Sequence, residues 1–86
     1  MQDERGLYYL PYPQNPKTRM YVKQGADDIY FRLWNKDDPQ LWEEHDWVPY
    51  GAIRQATRLY RKTGGFDPSE AYDLRVAKAL LADAQG

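Results

Sequence analysis

Two short runs of alternating residues, Arg19 to Lys23 and Ile29 to Trp34, constrain this chain more than any other feature. Successive side chains of a strand point to opposite faces, so strict alternation marks a sheet with one apolar side. Met20 and Val22 alternate with Tyr21 and Lys23, and Ile29, Phe31 and Leu33 alternate with Tyr30, Arg32 and Trp34. The intervening Gln24-Gly25-Ala26-Asp27-Asp28 holds a glycine and turn-forming aspartates, which predicts a hairpin. Met20, Val22, Ile29, Phe31 and Leu33 are its expected inner face. Tyr21, Tyr30, Arg32 and Trp34 are expected on the reverse.

A lone hairpin is marginal in water, so the rest of the chain must cover it. Asn35-Lys36-Asp37-Asp38-Pro39 ends the second strand and opens a short helix from Pro39 to about His45, with Asp38 as N-cap and Leu41 and Trp42 as anchors. A second start falls at Val48-Pro49. From there Ala52, Ile53, Ala56, Leu59 and Tyr60 recur on one helical face, until Gly64-Gly65 stops the helix. Asp67-Pro68-Ser69-Glu70 resembles a capping box and predicts a last helix to about Ala82. That helix turns Ala71, Leu74, Ala77, Leu80 and Leu81 inward, with Tyr72 and Val76 toward its other side.

Residues 1–18 read as an extended Tyr/Pro-rich arm, and residues 19–86 as one compact α+β domain. Pro11, Pro13 and Pro16 forbid helix in the arm, yet Leu7, Tyr8, Tyr9, Leu10 and Tyr12 are too apolar for an ordinary tail. The arm is therefore expected on the domain or on a partner, either as a third strand or across the hairpin's reverse face, with the first five residues frayed. The fold class is α+β: a hairpin, open to a third strand from the arm, packed against one short and two longer C-terminal helices.

An 86-residue chain buries limited surface, and here eight Tyr, three Trp and two Phe supply much of it. There is no cysteine, which excludes disulfides and thiolate zinc sites. The polar start Met1-Gln2-Asp3-Glu4-Arg5-Gly6 and the short apolar runs lead to the expectation of a cytoplasmic protein without membrane contact.

Catalytic constellations are not legible, and the chain is expected to be no enzyme and to hold no cofactor or metal. His45 stands alone in Glu43-Glu44-His45-Asp46, and consecutive helical residues point in different directions. A small metal-dependent enzyme centred on Glu43, His45 and Asp46 is the least favoured alternative. Ser69, the sole serine, is accounted for by capping, and Gly64-Gly65 lacks the strand and lysine of a phosphate loop.

Charge is more informative. Asp27, Asp28, Asp37, Asp38, Glu43, Glu44 and Asp46 face only Arg32 and Lys36, whereas Trp47 to Gly65 carries only Arg54, Arg58, Arg61 and Lys62. The three arginines form one helical stripe, read either as a solvated face or as an anion or nucleic-acid contact. The net charge of −1 weighs against nucleic acid. The leading expectation is a small non-catalytic interaction module whose partner is another protein or a second copy of this chain. Its contacts would be Tyr21, Tyr30, Arg32 and Trp34, with Tyr8, Tyr9 and Tyr12 of the arm, because Tyr, Trp and Arg dominate binding hot spots.

Overall fold

A computed structural model describes residues 1–63 and 72–85, with side chains for 1–56 and 72–84. The hairpin forms as the alternation requires: β3 (Thr18–Gln24) pairs antiparallel with β4 (Ile29–Asn35), Val22 opposite Phe31 and Tyr21 opposite Arg32. It is the centre of a larger antiparallel sheet, in the order β1-β2-β3-β4-β5.

The arm supplies two of the added strands. β2 (Gly6–Tyr9) pairs with β3, setting Leu7 opposite Val22 and Tyr9 opposite Met20. The first residues are not frayed, because β1 (Gln2–Asp3) folds back on β2. Asp3 Oδ1 accepts the Arg5 backbone N–H at 2.8 Å, and Gly6 closes the turn at φ +130°, a region L side chains rarely adopt. Beyond β2 the proline segment turns twice, with Asn15 N–H donating to Tyr12 O at 2.7 Å and Thr18 N–H to Asn15 O at 3.2 Å.

The fifth strand corrects a helix boundary. Val48–Pro49 is not the start of a helix but β5, paired with Tyr30 and Phe31. The helix α2 (Tyr50–Thr63) follows directly. The short helix α1 (Gln40–Glu44) is a residue shorter at each end than expected. Pro39 occupies its N-cap without a side-chain bond, while Asp38 bridges back to Asn35. Proline has no side-chain acceptor, so this turn depends on tertiary contacts. The last helix, α3 (Leu74–Gln85), is capped by Asp73, whose Oδ1 accepts the N–H groups of Arg75 at 3.0 Å and Val76 at 3.3 Å. Gly64-Gly65 and the Asp67–Glu70 cap lie outside the described residues.

One sheet face carries the core. Tyr9, Met20, Val22, Ile29, Phe31, Ile53, Ala77 and Leu81 are buried together, with Leu7, Leu33, Val48 and Leu80 packed against them. α3 lies against β2 and β3, and α2 against β4 and β5. Phe31 is its hub, with the rings of Tyr72 at 5.7 Å and Tyr50 at 6.1 Å. Tyr72, expected on the last helix, precedes α3 and packs partly buried against the core, whereas Val76 on α3 is exposed. On α2, Ile53 is buried but Ala52 is exposed. Among the described residues no helix is long and apolar enough to cross a membrane.

Candidate functional site

The register places Tyr8, Arg19, Tyr21, Lys23, Tyr30, Arg32 and Trp34 on the sheet face opposite the core. Cations and rings interleave across it. The guanidinium carbons of Arg5 and Arg19 lie 4.9 and 5.0 Å from the Trp34 ring centroid, and Arg19 also lies 4.7 Å from Tyr8. Arg32 sits 3.9 Å over Trp42. The Lys23 ammonium lies 4.5 Å from Trp47 and 5.8 Å from Tyr30. Such contacts draw each cation to the negative face of a ring.

Coverage of this face is uneven. Tyr21, expected to be exposed, is 0% accessible. The Tyr8 ring meets it at 5.3 Å, and Trp42 of α1 meets it edge-on at 5.2 Å. Its hydroxyl donates to Asp3 Oδ2, which also accepts from Arg19 at 2.7 Å. Burial works against ionisation of Asp3, but the hydrogen bonds from the Tyr21 hydroxyl and the Arg5 N–H, with the charge of Arg19, outweigh it. The carboxyl is held below its usual range. Burial, then the hydrogen bond to Asp3, raises the Tyr21 phenol.

Tyr9 is a second correction. It is on the core face, buried, and its hydroxyl accepts the Asp73 N–H at 2.8 Å where α3 begins. Tyr12 packs against the core edge. Arg32 is also committed: its Nε donates to His45 O at 3.0 Å and to Trp42 O at 3.2 Å, and a terminal nitrogen donates to Trp42 O. These bonds satisfy carbonyls at the end of α1, a capping role performed by a residue of β4.

What remains open is two regions. One is Trp34 and Arg19, both partly accessible, with the exposed Arg5 beside them. The other is a groove lined by Lys23, Gly25, Asp27, Tyr30, Asp46 and Trp47. Trp47 escaped the sequence reading because it lies between α1 and β5, outside any periodic segment.

Of the other sequence-derived candidates, Asp46 lines the groove described above. Arg54 is exposed on α2, while the side chains of Arg58, Arg61 and Lys62 lie outside the described residues. Glu43, His45 and Asp46 are exposed, and among the described residues no three metal-ligating side chains converge. Against known protein families, curated proteins and solved structures, no match to this chain is found.

Proposed function

We infer that this chain is a small non-catalytic protein–protein interaction module that docks through the uncovered part of its second sheet face. The observation that carries the reading is Trp34, a half-buried ring on a rigid strand with two arginines over it. A rigid aromatic flanked by guanidinium groups offers large contact area at little entropic cost, the composition of binding hot spots. Tyr30, Trp47 and Tyr8 extend the surface, while Tyr21 and Arg32 brace it through the Tyr8 and Trp42 rings. The partner is another protein chain, with self-association as one form.

A photo-crosslinking benzoyl-phenylalanine in place of Trp34, with Gln55 on the exposed side of α2 as control position, tests it in cells. Discrete adducts from position 34 and none from 55 are expected, and light scattering after size exclusion separates self-adducts from those with other chains. Equal, diffuse labelling from both positions overturns the reading.

A further inference from the structure

The groove between the β3–β4 turn and the α1–β5 connection is assembled from parts that attract positive charge. Tyr30 comes from β4 and Trp47 from the connection, and their half-buried rings approach a single ammonium, that of Lys23, at 5.8 and 4.5 Å. Trp42 braces Trp47 edge-on at 5.9 Å. The Tyr30 ring is seated on Gly25, where an added Cβ would overlap it, so glycine is what lets the ring lie there. Asp27 and Asp46, both exposed, stand at the rim of a space of about 510 Å³. Asp46 is oriented by accepting the Trp47 backbone N–H at 2.7 Å and lies 3.9 Å from an Arg32 terminal nitrogen.

We propose that this groove binds the alkylammonium group of a lysine side chain on a partner peptide, which takes the place of Lys23 over Trp47 and Tyr30. The proposal deepens the docking reading above, on which it rests, by naming the partner's chemistry. Paired ring faces recognise an ammonium, primary or methylated. Lys23 is exposed at the sheet end, and its flexible stem lets the head leave without moving the strand. The rim carboxylates complement further positive charge on the peptide. A phosphate group meets them with repulsion, and a neutral apolar side chain gains nothing from them. Lys23 thus acts as an internal competitor.

The test is an amide and indole NMR titration of the full chain with blocked Gly-Lys-Gly, the same peptide with trimethylated lysine, and a norleucine peptide as neutral control. Saturable shifts of the Trp47 indole N–H and the Gly25 amide are expected with an ammonium peptide and absent with norleucine. Comparing the two ammonium arms tells which form is preferred. Lys23→Gln should tighten binding about two- to fivefold, the worth of one exposed cation–π contact. Asp46→Asn, which keeps an acceptor for the Trp47 N–H, should weaken it, and Trp47→Leu should abolish it. If Trp47→Leu fails to fold, the two exposed-site variants decide. No saturable shift, or unchanged affinity in Lys23→Gln, overturns the proposal. Adducts from position 34 alongside a failed titration would leave the docking face standing and remove only the ammonium site.

Discussion

The Asp28 carboxylate accepts the backbone N–H of Gly51 at 3.0 Å, so a residue of the β3–β4 turn caps α2 from 23 positions upstream. Pro49, which precedes the helix, has no side-chain acceptor, and the first N–H groups of a helix lack partners within it. The other oxygen of Asp28 accepts the Ile29 N–H at 2.8 Å and fixes the carboxylate. One side chain thereby joins the hairpin turn to the helix that covers the hairpin.

Asp28→Ala should destabilise the protein by about 1 kcal/mol, the usual worth of an N-cap. Asp27→Ala, at the exposed neighbouring position, should change stability by less than about 0.5 kcal/mol. Urea denaturation of the two variants checks the contrast.

Gly25→Ala should displace the Tyr30 ring and cost about 1–3 kcal/mol, as overpacking does. The new Cβ would lie 2.8 Å from Tyr30 Cδ1 and 3.0 Å from Asp28 O. Thermal denaturation gives the cost, and the Tyr30 ring-proton shifts report the displacement.

Arg32→Lys keeps the charge but loses the planar fork that reaches the Trp42 and His45 carbonyls. A cost of about 1.5–3 kcal/mol is expected, in the range of hydrogen bonds to charged groups. Release of α1 should move Trp42 fluorescence to longer wavelength. An unchanged spectrum would show that α1 docks without the arginine.

Acid should reveal Asp3. Its folded pKa lies below the unfolded value of about 3.9, so its contribution is fully present above that value and is lost as pH falls through the folded one. The stability gap between wild type and Asp3→Asn should therefore shrink between about pH 5 and pH 2. A gap constant across that range would contradict the assignment.

Base should act through the phenols. Burial raises Tyr9, Tyr21 and Tyr72 above their ordinary value, with the charge of Asp73 adding to Tyr9 and Tyr12 to Tyr72. Their stabilisation is intact below the unfolded pKa of about 10 and declines above it, as the unfolded chain ionises first. Each phenol steepens the loss by up to about 1.4 kcal/mol per pH unit. Tyr9→Phe should be less stable at neutral pH, where the Asp73 N–H loses this acceptor, yet lose stability less steeply above pH ~10.

Which residues share a face was readable from alternation alone. Alternation has a period of two and needs no partner to be read, so Met20, Val22, Ile29, Phe31 and Leu33 were legible as the core side, and Tyr21, Tyr30, Arg32 and Trp34 as the reverse. What covers each face depended on how segments distant in sequence pack together. Tyr21 is buried because α1 brings Trp42 over it and the Asp3 turn reaches its hydroxyl. The arm's placement depended on pairing with β3, and the caps on Asp28 and Arg32, residues remote in sequence from the helix ends they serve. A side chain's direction is set by its own backbone, but its exposure is set by whichever distant segment arrives there, and local patterns carry no record of that arrival.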